Sequence, residues 1–228
     1  MDSKMIKTNK KLKWSLAAFA CAALSLLIYT TTSASSSGYK FKWDQNKKHS
    51  INLLDGDIVF QSSSSRQCEA VKQVTKSEYS HCGIVFIEGG EYYVYEAVQP
   101  VKRTKLSQWA KQGDGGKYVA MRLKDRDVIS TDEMAKMKAI CTDFLGKNYD
   151  LTFEWSDDQI YCSELVWKVY QRAASIEVGK LQKLGDLDLT SPLAKEILNE
   201  RYGKKIPLEE TVISPASIMG SELLIVVE

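Results

Sequence analysis

Two runs of apolar and aromatic residues, separated by a short glycine turn, form the most distinct pattern in the chain. The segment "HCGIVFIEGGEYYVYEA", residues 81–97, is rich in Val, Ile, Tyr and Phe on both sides of "EGG". Such residues around a glycine-containing turn are typical of a β-hairpin. Three further segments predict strands: "GDIVFQ" at 56–61, "KYVAMRL" at 117–123 and "LLIVVE" at 223–228.

Apolar residues at helical spacing predict helices before and after this hairpin. The best defined follows Ser130, because Ser130 and Glu133 have capping-box spacing and Gly146 is placed to end the helix. Its apolar face includes Cys141, which we therefore expect in the core. Other helices are predicted at 62–76, 105–112, 162–170 and 192–203, with a short one after Ser214. Because helices and strands do not alternate strictly, the predicted fold class is α+β.

The N-terminal residues have the layout of a secretory signal peptide. Five lysines precede an uncharged apolar run from Trp14 to Tyr29, and a small, polar stretch follows. This run is short for a membrane span, which needs about 20 residues, so cleavage is favoured over an uncleaved anchor. We predict a signal peptide at 1–34, a polar linker at 35–50 and one domain at 51–228, exported to the periplasm or another extracytoplasmic compartment.

Charge changes this picture once the predicted signal peptide is removed. The whole chain has a formal net charge of +2, and loss of five basic residues and one acidic residue leaves a net charge of about −2. No basic stretch remains that would attract nucleic acid or an anionic membrane. We therefore expect no nucleic-acid partner and no stable membrane contact after cleavage.

Four cysteines remain in the predicted mature chain: Cys68, Cys82, Cys141 and Cys162. In an exported protein disulfide pairing is the default expectation, and at most two bridges are available. The cysteine spacing does not match a zinc site, and the chain has only two histidines, so we expect no metal and no organic cofactor.

Cys162 is the cysteine best placed for chemistry. Asp157 or Asp158 is expected to cap the helix that follows, which puts Cys162 in its first turn. The free N–H groups and the positive end of a helix dipole favour thiolate over thiol there. The alternative is a small buried core residue, since free cysteine is among the most buried residue types.

His81 and Glu96 are candidates to act together. If the hairpin turns through Glu88 and Gly89, His81 lies directly opposite Glu96, and the two side chains share a face of the sheet. A three-residue turn would place them on opposite faces. Cys82 follows His81 and is expected on the other face of the strand, so it is not predicted to be a partner.

Several motifs together resemble a known enzyme family. The segment "FLGKNYDLTFEWSDDQIYCSELVWKVY" is similar to the nucleophile region of the NlpC/P60 group of papain-like enzymes, although Asn148 replaces a proline and Tyr161 an aspartate. The histidine strand precedes the cysteine helix, as in the circularly permuted branch. Taken with "GDIVFQ", "YSHCGIVF", "YVYEA" and "RYGKKIPLEETVISP", this order resembles the YiiX/YebB-like members, from about Gly56 to Pro215.

The resemblance implies a circularly permuted papain-like fold, with an antiparallel sheet and the nucleophile helix packed against it. It also implies that Cys162 is the nucleophile, that His81 is the base and that Glu96 orients the histidine. Three further residues are implied near the oxyanion or the substrate: Tyr149, Tyr161 and Asp57.

The function implied is that of a cysteine amidase or peptidase. It would hydrolyse an amide bond in a small peptide or N-acyl amino acid derived from cell wall or another source. The alternatives are a thioester-forming acyltransferase or lipid deacylase of the permuted family, and a non-catalytic exported binding domain. The sequence leaves open the substrate, the preference for amide or ester, the oligomeric state, signal cleavage and the pairing of Cys68, Cys82 and Cys141.

Overall fold

The computed structural model describes residues 52–227, and the predicted signal peptide and linker lie outside these residues. The strands are β1 Ile58–Gln61, β2 His81–Glu88, β3 Glu91–Glu96, β4 Lys102–Lys105, β5 Val119–Leu123, β6 Asn148–Tyr149, β7 Gln159–Ile160, β8 Gln182–Lys183, β9 Thr211–Val212 and β10 Leu224–Val226. The helices are α1 Arg66–Thr75, α2 Leu106–Ala110, α3 Thr131–Asp143, α4 Cys162–Ala174, α5 Pro192–Tyr202 and α6 Pro215–Met219. Short 3₁₀ turns lie at Asp114–Gly116 and Leu184–Asp186.

A six-stranded antiparallel sheet, in the order β10-β5-β1-β2-β3-β4, forms the centre of the fold. One face packs against α3 and α4 through the main core, which includes Phe60, Ile84 and Leu165. The other face carries a smaller core around Val85 and Trp109. The mixed helical and antiparallel architecture predicted from the sequence is confirmed.

The register of the β2–β3 hairpin differs from the predicted one by two residues. The turn runs through Gly89 and Gly90, which both have positive φ, and Glu88 pairs with Glu91. Two consecutive positive φ angles suit glycine, so this pair takes the turn in place of Glu88 and Gly89. A shift of two preserves which face each side chain occupies. His81 and Glu96 therefore share a face, as predicted, but lie diagonally rather than directly opposite.

Helix α4 begins later than the predicted caps imply. Its N-cap is Tyr161, and the Glu164 carboxylate reaches back to the Tyr161 N–H at 3.4 Å. The prediction of Asp157 or Asp158 as the cap was wrong, because Gln159 and Ile160 pair with β6 as a short parallel strand before the helix starts. The Asp157 carboxylate instead accepts hydrogen bonds from side chains of α4 itself. Cys162 consequently becomes the first helical residue.

The other helices begin as their sequences predict. Ser130 and Glu133 form the capping box of α3, Ser65 caps α1, and Ser191 caps α5 with proline in its first turn. Helices α1 and α5 pack side by side and are joined at the surface by Arg66, which bridges two glutamates of α5. Within residues 52–227, no helix has the length and apolarity needed to span a membrane.

Candidate active site

Cys162 lies at the start of the most deeply buried helix of the fold. Side chains from Cys162 to Tyr170 are all buried, because α4 packs between the sheet and the surrounding helices and loops. Cys162 is the first residue of α4, at the end of the helix where backbone N–H groups have no partner within the helix. These N–H groups and the helix dipole favour negative charge on the sulfur.

His81 is held from behind by the Glu96 carboxylate. The distance from His81 Nε2 to Glu96 Oε2 is 2.7 Å, and the Glu96 side chain is fully buried. Since Nε2 is engaged by the carboxylate, Nδ1 is the ring nitrogen left for the Cys162 thiol, whose interaction with His81 raises the pKa of the histidine. The structure therefore brings Cys162, His81 and Glu96 together in the order that a thiol–imidazole–carboxylate triad requires.

Two residues that could not be selected from the sequence, Thr104 and Trp109, complete the surroundings of Glu96. Thr104 Oγ1 donates to Glu96 Oε1 at 2.6 Å, and Trp109 Nε1 donates to Oε2 at 3.0 Å. With His81 they give both carboxylate oxygens hydrogen-bond partners, as a buried charge requires. The Trp109 ring also lies near the imidazole, with centroids 6.0 Å apart. Thr104 and Trp109 come from β4 and α2, which lie beyond the hairpin in sequence.

The protonation of the pair follows from these contacts. Hydrogen bonds from Cys82 and then His81 hold the pKa of the Cys162 thiol well below its usual range, although burial opposes this. Burial would lower the pKa of His81, but its hydrogen bonds to Cys162 and Glu96 outweigh this and raise it to about 10. The hydrogen bond to His81 likewise holds the pKa of Glu96 below its usual range, against burial. The favoured state is a thiolate–imidazolium pair with an ionised carboxylate behind it.

Cys82 is a partner of Cys162, contrary to the expectation from the sequence. It does face the opposite side of β2 from His81, but that side is the one on which α4 packs, and both cysteines belong to the main core. Interactions with the Cys82 side chain and backbone help to lower the pKa of Cys162. Burial, followed by the contact with Cys162, raises the pKa of Cys82 well above its usual range, so it remains a neutral donor. Cys68, Cys82, Cys141 and Cys162 are all free thiols.

Cys162 opens onto a pocket that Tyr149 and Tyr161 also line. Burial and the nearby Cys162 sulfur raise the pKa of Tyr149 well above its usual range, so its hydroxyl is a neutral donor. The Tyr149 backbone N–H is held by Gln99 Oε1 at 2.7 Å. The Tyr161 hydroxyl accepts the Ile213 N–H at 3.1 Å, which ties the start of α4 to the wall of the pocket.

Asp57 lies outside this pocket. Its carboxylate binds Arg122 through both oxygens, at 2.7 and 2.6 Å, and accepts the Leu54 N–H at 2.8 Å. Along β1 it is four residues from Gln61, the partner of His81, which corresponds to about 13 Å at 3.3 Å per residue. The structure therefore does not bring Asp57 to Cys162, and its contacts fasten β1 to β5 instead.

The walls of the pocket are almost entirely apolar. Its cavity volume is about 90 Å³, and it lies between α1, α5, the turn at 184–189 and the start of α4. Its apolar side chains include Val71, Val74, Leu187, Leu189, Ile197 and Leu198. Ser80 is a polar exception: it is buried, it precedes His81, and its hydroxyl has no hydrogen-bond partner within residues 52–227.

The family model that matches this chain covers residues 52–227 and is described as "Permuted papain-like amidase enzyme, YaeF/YiiX, C92 family". The chain belongs to this family. The permuted papain-like fold expected from the order of the motifs is thereby confirmed, since in this chain the histidine strand β2 precedes the cysteine helix α4.

Two relatives from Escherichia coli support the family assignment. The uncharacterized protein YiiX of strain K12 is 48% identical over 169 residues, which are 74% of this chain and 83% of the relative. A crystal structure described as that of metalloprotein yiiX from strain O157:H7 is 47% identical and has a TM-score of 0.73. It matches over 77% of this chain and 96% of the relative.

Proposed function

We propose that this protein is a cysteine hydrolase that cleaves an amide bond in a small peptide or N-acyl amino acid. The observation that carries the proposal is the buried Cys162–His81–Glu96 arrangement beside an apolar pocket that Cys162 lines. The membership in a family described as amidases supports the same reaction class.

The reaction begins with the thiolate of Cys162, which attacks the amide carbonyl carbon. Backbone N–H groups at the start of α4 stabilise the oxyanion, and the Tyr149 hydroxyl and the Ser80 hydroxyl are further donors within the same pocket. The His81 imidazolium gives its proton to the leaving nitrogen, so the C–N bond breaks and an acyl thioester forms. His81, now neutral, takes a proton from water as the water oxygen attacks the thioester. The acid leaves and Cys162 is released. Glu96 stays ionised throughout and holds the ring.

The metalloprotein description of the relative raises the question of a metal in this reaction. Within residues 52–227, no three side chains of His, Cys, Asp or Glu are grouped so that they could hold a metal ion. The imidazole nitrogen that faces away from Cys162 is already bound to Glu96. The proposal therefore routes no step through a metal.

A screen of wild type against Cys162→Ala tests the proposal. Peptidoglycan fragments, N-acyl amino acids and short peptides are incubated with each protein, and release of the amine is measured. We expect turnover of at least one amide by wild type, loss of at least about a thousandfold in Cys162→Ala, and no change in Cys141→Ala, which removes a buried thiol outside the pocket. Turnover that survives Cys162→Ala contradicts the proposed nucleophile.

Lipid deacylation or acyl transfer is the second candidate, and the apolar walls of the pocket favour it. An acyl chain would bury its methylene groups there at about 0.8 kcal/mol each. Both candidates pass through the same acyl thioester and differ in the bond that is broken and in the acceptor. Matched octanoyl amide and octanoyl ester substrates separate them: turnover of the ester alone, or transfer to an added amine in preference to water, supports the second candidate.

A non-catalytic binding domain is the remaining alternative, and alkylation of Cys162 with iodoacetamide tests it. A Cys162 that reacts only after denaturation would support binding over catalysis.

We also propose that the protein acts outside the cytoplasm, on a small-molecule or peptide substrate, because residues 1–34 have the layout of a signal peptide. Fractionation of cells that express the full chain tests this location.

A further inference from the structure

Arg201 is a cationic side chain in the wall of the apolar pocket. It lies in the last turn of α5, and its side chain lines the same pocket as Cys162. A charged residue is rarely placed in such surroundings unless it has a partner.

Two contacts fix the position of the Arg201 guanidinium. Its Nη2 donates to Gln67 Oε1 on α1, and its plane lies over the Phe153 ring, with 5.1 Å from Cζ to the ring centroid. An arginine has five N–H donors. Within residues 52–227, the contact with Gln67 is the only side-chain or backbone hydrogen bond formed by the Arg201 guanidinium. The group is therefore held in place while most of its donors remain available.

No carboxylate of the described chain forms a salt bridge with Arg201. Its neighbour Glu200 is bound to Arg66 on the outer side of the helix pair. Asp150 lies near enough to act through its charge but forms no salt bridge with Arg201: its Oδ1 accepts hydrogen bonds from Thr152, and its Oδ2 is buried without a hydrogen-bond partner within residues 52–227. Burial lowers the pKa of Arg201, and the surrounding charges do not restore it. The positive charge in the pocket is thus left without an ion pair from residues 52–227.

We propose that Arg201 binds a carboxylate of the substrate, so that the protein selects acylated amino acids or peptides with a free carboxylate. The planar fork of a guanidinium matches a carboxylate through two parallel hydrogen bonds. In this arrangement the carboxylate pairs with Arg201, the acyl group contacts the apolar walls, and the scissile carbonyl is presented to Cys162. This assignment rests on the proposed amidase function, and it makes Arg201 a specificity-determining residue.

Binding to the inactive full-length Cys162→Ala protein tests the assignment without turnover. N-octanoylglycine and its neutral carboxamide, N-octanoylglycinamide, are titrated by calorimetry. We expect the carboxylate to bind about tenfold or more tightly than the carboxamide. Arg201→Gln should remove this preference while changing the affinity for the carboxamide by less than about twofold. Arg201→Lys, which keeps the charge but loses the fork, should retain only part of it.

Arg66→Gln is the matched control, because it removes a guanidinium from the α1–α5 pair outside the pocket and should leave the preference unchanged. Equal affinity of the parent protein for the two ligands would overturn the assignment, as would a preference that survives Arg201→Gln. Tighter binding of N-octanoylethanolamine phosphate than of N-octanoylglycine would also overturn it, in favour of a phosphate ligand.

Turnover by the protein with Cys162 intact separates this inference from the proposed function. Selective binding without hydrolysis of N-octanoylglycine or any other amide would keep the role of Arg201 and reject the amidase. Hydrolysis of N-octanoylglycine and N-octanoylglycinamide with equal kcat/KM would keep the amidase and reject the role of Arg201.

Discussion

Cys162 has three separate sources of thiolate stabilisation, and each comes from a different part of the chain. The start of α4 supplies backbone N–H groups, His81 supplies a positive charge, and Cys82 supplies a neutral S–H donor. Because the site is buried, each of these interactions is stronger than it would be in water. The individual contributions can be separated by substitutions that leave the other two in place.

Glu96→Gln should lower the pKa of His81, because the carboxylate now stabilises the imidazolium. The His81 proton would then be lost at lower pH, so the alkaline limb of kcat/KM should move down by about one to three pH units. The measurement is the pH profile of kcat/KM, or of Cys162 alkylation if no substrate is yet in hand. Glu91→Gln, which removes an exposed carboxylate from the same strand, is the control and should not shift the limb.

Cys82→Ala should raise the pKa of Cys162, because a donor to the thiolate is removed. The acid limb of Cys162 alkylation should move to higher pH by about one unit. Peptide-resolved mass spectrometry of iodoacetamide labelling measures this shift. Cys141→Ala removes another fully buried thiol, in α3, and is expected to leave the profile of Cys162 unchanged. An unchanged profile in Cys82→Ala as well would show that Cys82 only fills space.

At the scale of elements, the β2–β3 hairpin positions the Glu96 carboxylate behind His81. Its sequence predicts that His81 and Glu96 share a face, and this held because the error in register was an even number of residues. The direct opposition of the two residues could not be predicted, since "EGG" permits more than one two-residue turn. Continued by one residue beyond the Ile84–Tyr95 pair, the observed register places Gly83 opposite Glu96.

Gly83→Ala should disturb both the hairpin and the triad. A Cβ there would lie 2.5 Å from Val94 Cγ1, 2.7 Å from the Tyr95 carbonyl oxygen and 3.5 Å from Glu96 Cβ. We expect a loss of about 1–3 kcal/mol in the free energy of unfolding and slower alkylation of Cys162 at neutral pH. Denaturant unfolding and labelling measure the two effects.

Gly90→Ala is the matched control for that variant. Position 90 has φ of 82° and open space, so alanine there costs about 1–2 kcal/mol of backbone strain without a clash. It should lower stability but leave Cys162 alkylation unchanged. If both variants changed labelling equally, general loosening of the hairpin would explain the effect and contact with Glu96 would not.

At the scale of the whole molecule, the sequence predicts the individual helices and strands well, but it does not predict which of their residues come into contact. Capping residues and apolar spacing locate α1, α3 and α5, because these signals are local. The contact between Cys82 and Cys162 depends on which face of the sheet α4 covers. The cover over Glu96 depends on Trp109, whose role appears only when α2 folds over the hairpin. Single residues of α1 and α5 likewise do not reveal that these helices enclose a pocket.

Asp57, a residue of the "GDIVFQ" motif, stabilises the fold through its ion pair with Arg122. We expect Asp57→Asn to lower the free energy of unfolding by about 3 kcal/mol, because it leaves Arg122 without its buried ion-pair partner. Alkylation of Cys162 in the folded protein should not change, since the pair lies outside the pocket. Asp158→Asn is the control and should alter stability by less than about 0.5 kcal/mol, because Asp158 is exposed. A selective loss of Cys162 reactivity in Asp57→Asn would contradict this expectation and would show that Asp57 contributes to the candidate active site.

The pH dependence of Cys162 alkylation in folded wild type and in His81→Ala tests whether His81 holds the Cys162 thiol in its reactive, ionised form, with peptide-resolved detection to exclude Cys68. We expect wild-type Cys162 to react at pH values well below the usual thiol range, and His81→Ala to move its apparent pKa upward. A Cys162 that reacts only after unfolding, or whose apparent pKa is the same in both proteins, would contradict these expectations.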